Sequence, residues 1–191
     1  MLRDEYIQRK EKCKMKAICF GDSNTYGYDP RGYFGGRYDA DCRWVDILAT
    51  ETRWTVYNMG QNGREIPSAA PAFPDDTDLL IVMLGTNDLL QGRSPEQAAE
   101  RLERFLSGIP LDRSKILLIA PPPMSLGTWV QGQQLIDGSH AFAQLCRALA
   151  ERMDIRFTNA GKWDISLAYD GVHFTEQGHK AFAAGLLEEL K

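Results

Sequence analysis

No run in this 191-residue sequence approaches the ~18–20 uninterrupted apolar residues that a membrane-spanning helix needs, so such a helix is excluded. Cysteine is scarce. Cys13, Cys19, Cys42 and Cys146 form no CxxC pair and have no metal-ligand spacing, and they read as buried small hydrophobes in a reducing compartment. A surplus of positive charge is missing too. Twenty-two Lys and Arg face 26 Asp and Glu, for a net charge of −4 and a pI near 5.4. A protein that neutralises nucleic-acid phosphates usually shows the opposite balance, so no nucleic-acid partner is expected. There is no internal repeat, low-complexity tract or Pro/Gly/Ser linker beyond Lys16, and a chain of this length suits one domain.

The leader up to Lys16 is polar and rich in Lys and Arg. It has neither an apolar core nor a small-residue cleavage site, so it does not read as a secretory signal. Residues 1–15 are expected to be a polar N-terminal extension and residues 16–191 the domain, with the cytoplasm as the default location.

Near-continuous apolar runs occur at Ala17–Phe20, Thr55–Met59, Leu79–Leu84, Ile116–Ala120 and Ile155–Thr158. Such runs suit strands buried on both faces, as in a parallel sheet. Helical patterns separate them. Ser94-Pro95-Glu96-Gln97 combines an N-cap, a proline at the first helical position and a capping-box glutamine, and apolar Ala98, Leu102, Phe105 and Leu106 follow at helical spacing. Ser139 is expected to open another helix with Phe142, Leu145, Cys146, Leu149 and Met153 on one stripe. Trp44–Thr50 and Thr175–Leu190 read as two more. Five strands alternating with helices predict an α/β fold: a three-layer α/β/α sandwich around a five-stranded parallel sheet, with its site at the carboxyl ends of the strands.

Four short segments fall at those ends. Gly21-Asp22-Ser23-Asn24 follows the first strand and exposes a serine at the crevice. It lacks the lysine of a phosphate-binding P-loop and is not a G-x-S-x-G elbow. Gly60 ends the second strand and would aim a backbone N–H into the crevice. Asn87, in Gly85-Thr86-Asn87-Asp88 after the third, offers a side-chain amide donor. Asp170-Gly171-Val172-His173 precedes the last helix. A carboxylate three residues before a histidine can accept from imidazole Nδ1–H, fix the tautomer and leave Nε2 free as a base. Taken singly, each segment is an ordinary turn. His140 and His179 lie inside predicted helices and read as solvated or capping residues, with no cluster to make a metal site.

The order of the four segments resembles the SGNH, or GDSL-type, esterase and lipase family, whose four name-giving residues map to Ser23, Gly60, Asn87 and His173. Arg37-Tyr38, Arg43-Trp44 and the Pro121-Pro122-Pro123 loop followed by Trp129 are similar to its arylesterase and acyltransferase branch. Asn24 stands where the GDSL name has leucine, a variation that leaves the nucleophile untouched. The resemblance implies a flavodoxin-like SGNH hydrolase fold, Ser23, His173 and Asp170 as a catalytic triad, and an oxyanion hole from the N–H groups of Ser23 and Gly60 with the Asn87 amide. It implies no metal and no cofactor. Asp22, Tyr28 and Trp129 are the expected substrate contacts. The long Tyr26–Arg43 segment (Tyr28, Tyr33, Phe34, Tyr38) and the Pro121–Trp129 loop (Met124, Leu126, Trp129) are expected to wall the crevice, since loops at strand ends carry specificity. These apolar side chains could equally pack a homo-oligomer.

The expected activity is hydrolysis, or transacylation, of a small carboxylic ester through an acyl-serine. The alternatives are a carbohydrate O-deacetylase or lysophospholipase on the same scaffold, or a non-catalytic flavodoxin-like binding module.

Overall fold

The computed structural model describes residues 14–32 and 36–191. The expected polar extension lies outside them apart from Lys14 and Met15, as do Cys13, Tyr33 and Phe34. In chain order the elements are β1 (Lys16–Gly21), α1 (Ser23–Tyr26), β2 (Tyr28–Asp29), β3 (Gly36–Arg37), α2 (Trp44–Thr52), β4 (Thr55–Gly60), β5 (Leu79–Met83), α3 (Thr86–Leu90), α4 (Pro95–Ser107), β6 (Ile116–Ala120), α5 (Gln133–Met153), β7 (Arg156–Asn159) and α6 (Glu176–Glu189). β4, β1, β5, β6 and β7 pair in that order, all parallel. The sandwich expected from the alternation of apolar runs and helices is the one that forms. Its strand order reverses at β1, and ligands of such sheets bind at the carboxyl ends beside that reversal.

Side-chain alternation along the strands divides the interior into two layers. Ile18 and Phe20 of β1, Leu80 and Val82 of β5 and Ile116 and Leu118 of β6 pack with α4 and α5. Ala17, Cys19, Leu79, Ile81, Leu117 and Ile119 face the other way, onto Trp44 and Leu48 of α2 and Phe182 and Leu186 of α6. The two edge strands depart from the expectation of burial on both faces: β4 alternates exposed with half-buried residues, and in β7 only Thr158 is buried. An edge strand has one neighbour and incomplete helical cover, which an apolar run does not reveal.

Helix α4 starts as its sequence dictates. Gln97 N–H donates to Ser94 Oγ and Ser94 N–H to Gln97 Oε1, closing the capping box. Helix α5 begins at Gln133, one and a half turns before Ser139. Ser139 is buried in mid-helix, where its hydroxyl donates to the Ile136 carbonyl and accepts from Met124 N–H. Its partner in tertiary structure, not a cap, accounts for its place.

His179 also differs from expectation. It is buried rather than solvated, with the rings of Tyr38 and Phe174 edge-on to it at 5.4 and 5.2 Å, and neither ring nitrogen finds a partner among the described residues. Burial above all, with positive charge from Arg43 and His173, pushes its pKa down to about 3. A histidine near 6.5 when unfolded and near 3 when folded binds its proton preferentially in the unfolded chain. The stability it permits is therefore present above pH ~6.5 and is lost as pH falls from there toward 3. In urea unfolding at pH 7 and pH 4.5, the wild type is expected to lose about 2–3 kcal/mol more stability than His179→Leu. Parallel stability curves for the two proteins would mean that His179 protonates freely in the fold.

Candidate active site

β1 delivers the chain to the crevice at Gly21. The buried Asp22 then caps α1, its Oδ1 accepting from Asn24 N–H at 3.0 Å, and Ser23 is the first helical residue. From the other end of the chain, His173 brings Nε2 to 3.0 Å from Ser23 Oγ, and its Nδ1 lies 2.7 Å from Asp170 Oδ2. All three side chains are buried. Asp170 Oδ1 accepts the N–H groups of Val172 and His173, each at 2.9 Å. Burial pushes the Asp170 pKa up, but hydrogen bonds from the His173 ring and these two N–H groups outweigh it and leave the carboxyl below its usual value.

What ties the two segments together is Asn24, a residue to which sequence reasoning gave no role. Its Nδ2 donates to the Val172 carbonyl at 3.1 Å and its Oδ1 accepts from Phe174 N–H at 2.9 Å, so one amide grips the backbone on both sides of His173. The indole of Trp44 in turn donates to the Asn24 carbonyl.

The strand-end glycine does not behave as expected. In the edge strand β4 successive N–H groups point alternately toward and away from β1. Gln61 N–H reaches back to the Gly21 carbonyl, so that of Gly60 faces the open edge, where it donates to Asn58 Oδ1 at 2.9 Å. That donor is taken. Gly60 is instead a packing requirement: a Cβ there would lie 2.1 Å from Tyr26 N. Asn58 Nδ2 donates to the Thr25 carbonyl, completing the seat for α1.

Beyond β4, Gln61–Arg64 forms a tight turn closed by Arg64 N–H on the Gln61 carbonyl, with a φ of +69° at Gly63. The Gly63 N–H has no protein acceptor among the described residues. Asn87, half-buried on α3, donates one amide N–H to the Arg64 carbonyl at 3.0 Å, which joins the third segment to this turn. Next to it the buried Asp88 accepts from Ile66 N–H at 2.8 Å and lies 2.9 Å from Arg101 Nε of α4. Asp88 and Arg101 were invisible to sequence reasoning because their partner comes from a different element.

Of the expected substrate contacts, Tyr28 and Trp129 flank His173, with ring centroids 4.6 and 5.0 Å from the imidazole. Trp129 is 52% exposed. Asp22 is not available to a substrate: it is buried and engaged as the cap of α1. Burial raises its pKa to about 6, against the opposing pull of Asn24 N–H, His173 and Arg64. Tyr38 and Met124, expected in the crevice wall, turn inward. Tyr38 packs on His179 and Met124 joins the core beside α5. Leu126 and Trp129 do face outward, on a loop laced to the histidine segment by Ser125 N–H on Gly171 O, Thr128 N–H on Tyr169 O and Trp129 N–H on Asp170 O. Among the described residues no three His, Cys, Asp or Glu side chains gather as a metal-holding group, and no helix is long and apolar enough to cross a membrane.

Fold and crevice together define an α/β sandwich in which an early serine and a late histidine meet at the sheet's carboxyl end. Residues 19–181 match the model of the GDSL-like lipase/acylhydrolase family; the chain belongs to that family and is an ester-hydrolysing enzyme. Among solved structures it is similar to an aryl esterase of M. smegmatis, at 27% identity over 92% of this chain and 98% of that one, with a TM-score of 0.76. It is likewise similar to a carbohydrate acetylesterase family member from Sinorhizobium meliloti, at 26% identity over 92% and 97%, also with a TM-score of 0.76. A member of the lipolytic G-D-S-L family from Veillonella parvula shares the fold, at 23% identity over 91% and 97%, with a TM-score of 0.66. No curated protein matches the chain.

Removing the Asn24 amide leaves Phe174 N–H and the Val172 carbonyl buried without partners, at ~1–3 kcal/mol for each group. Asn24→Ala is expected to lower unfolding stability by about 2–4 kcal/mol and ester turnover by more than tenfold at temperatures where it is folded. Full turnover in the folded variant would show that His173 is held without it.

Proposed function

We propose that this enzyme hydrolyses small carboxylic esters through an acyl-serine intermediate. The observation that carries the reading is the unbroken chain from Ser23 Oγ through His173 Nε2 and Nδ1 to Asp170 Oδ2, with steps of 3.0 and 2.7 Å. A serine hydroxyl is a weak nucleophile at neutral pH and needs a base to take its proton as it attacks the ester carbonyl. His173 is that base. Asp170 fixes the tautomer with Nδ1–H toward itself and stabilises the imidazolium that forms. In serine hydrolases, loss of this orientation lowers turnover by ~10⁴. The proton then passes from His173 to the departing alkoxide, and water attacks the acyl-serine with His173 again as base. An alcohol in place of water would give ester exchange.

The negative oxygen of the tetrahedral intermediate is met by the Ser23 N–H, the second N–H of the Asn87 amide and the N–H of Gly63. The last replaces Gly60, whose donor is occupied. Gly63 belongs to a turn that is bonded to the end of β1 on one side and to Asn87 on the other. Loss of one such donor typically lowers turnover by ~10²–10³.

Tyr28 and Trp129 flank the base with apolar faces, which suits a short acyl group on an aromatic or other flat leaving group. A second reading, de-esterification of an acetylated carbohydrate, is favoured by the likeness to the S. meliloti acetylesterase family member, since aromatic walls also stack on sugar rings.

Ser23→Ala is expected to abolish hydrolysis of p-nitrophenyl acetate without unfolding the protein, and an organophosphonate is expected to add one equivalent of mass at Ser23. Wild-type turnover in the variant, or tight FMN binding with no labelling, would overturn the acyl-serine reading. Asn87→Ala is expected to lower kcat by ~10²–10³ with KM little changed; a loss confined to KM would remove Asn87 from the oxyanion site. Nitrophenyl esters from acetate upward, set against acetylated xylose, separate the two substrate classes.

A further inference from the structure

Arg64 follows Gly63 directly, and no step of the chemistry above uses its side chain. The guanidinium is half-buried. It lies over the Phe20 ring with its carbon 4.2 Å from the centroid, and donates through Nη1 to the Gly21 carbonyl at 2.9 Å and to the Met59 carbonyl, and through Nη2 to Gln61 Oε1. Gly21 is the last residue of β1, two before Ser23, and Met59 the last but one of β4. The Arg64 backbone carbonyl accepts from the Asn87 amide. One residue therefore joins the end of the serine strand, the end of its neighbour, the Gly63 turn and the asparagine.

We propose that Arg64 is a positioning residue for oxyanion stabilisation, its guanidinium locking the ends of β1 and β4 while its carbonyl orients the Asn87 amide. The proposal rests on the acyl-serine reading above. Two physical effects follow. Donors that must converge on one oxygen lose most of their effect when they drift by an ångström, and the arginine fork fixes two strand ends with one rigid plane. In addition, the guanidinium sets a positive charge beside the end of β1, where it favours a developing oxyanion.

The test compares wild type, Arg64→Met and Arg64→Lys, measuring kcat and KM for p-nitrophenyl acetate per phosphonate-titrated site, the affinity for phenylboronic acid and the melting temperature. Phenylboronic acid forms a tetrahedral adduct on a serine and so imitates the intermediate. Arg64→Met is expected to lose ~10²-fold in kcat with KM within about threefold, the loss of one oxyanion donor's worth. Boronate affinity should fall in parallel. Arg64→Lys keeps the charge but loses the rigid plane that holds both carbonyls and Gln61 Oε1 at once, so about tenfold of the loss should return. It carries the test if the methionine variant does not fold. Unchanged kcat and boronate affinity, a loss confined to KM, or a loss that only follows melting would overturn the assignment. Turnover that needs Ser23 but not Arg64 removes this assignment alone, whereas turnover indifferent to Ser23 removes the acyl-serine reading and this inference with it.

Discussion

A single buried side-chain amide holds the two halves of the site together. Asn24 belongs to the turn that carries Ser23, and its two hydrogen bonds land on Val172 and Phe174, either side of His173 and about 150 residues away in sequence. Without that grip, the 3.0 Å approach of His173 to Ser23 would depend on a loop whose other polar contacts are mainly to itself and to the neighbouring Ser125–Trp129 segment. Hydrogen bonds between buried partners are costly to leave unmade, so the amide disfavours alternatives as much as it favours this arrangement. Trp44 extends the constraint to the helix layer by holding the Asn24 carbonyl.

The sheet makes such a grip feasible. A parallel order with β1 flanked by β4 and β5 brings three strand ends side by side, and each passes into a short polar turn. Every side chain in the proposed chemistry hangs from one of these turns or from the segment before α6, while β1 and β5 beneath are packed on both faces by apolar residues. A rigid floor with adaptable loops is the general arrangement by which one fold supports varied chemistry. In the proposed reading, the outer part of the crevice, with Tyr28, Leu126 and Trp129, is correspondingly the part that sets substrate choice.

Much of this was legible in the sequence because its signals are local. Runs such as Leu79–Leu84 and Ile116–Ala120 announce buried strands, and Ser94-Pro95-Glu96-Gln97 announces a helix start, by rules that involve only neighbours in the chain. What failed was decided by partners far away. Ser139 has the residue type of a cap, yet its hydroxyl serves the loop at Met124. His179 reads as solvated or capping and Tyr38 as part of the crevice wall until α6 and the segment after β3 close on each other. Gly60 ends its strand as expected, but the direction of its N–H depends on which side of β4 the neighbouring strand lies, and no single-strand pattern contains that. Asn24, Asp88 and Arg64 were missed for the same reason: each acts through backbone groups on another segment.

The electrostatics of the site follow from counting donors around its two buried carboxylates. Asp170 receives three hydrogen bonds, two of them from backbone N–H groups, and they overcome burial and hold it ionised. Asp22 receives the Asn24 N–H, and burial prevails, lifting its pKa to about 6. In the proposed mechanism, a full negative charge beside the His173 ring favours the imidazolium that forms as Ser23 attacks. The same charge at Asp22, next to the nucleophile, would oppose the oxyanion. A carboxyl titrating at about 6 is still mostly ionised at neutral pH, so in the proposed mechanism it is the nearby charge of Arg64 that offsets it.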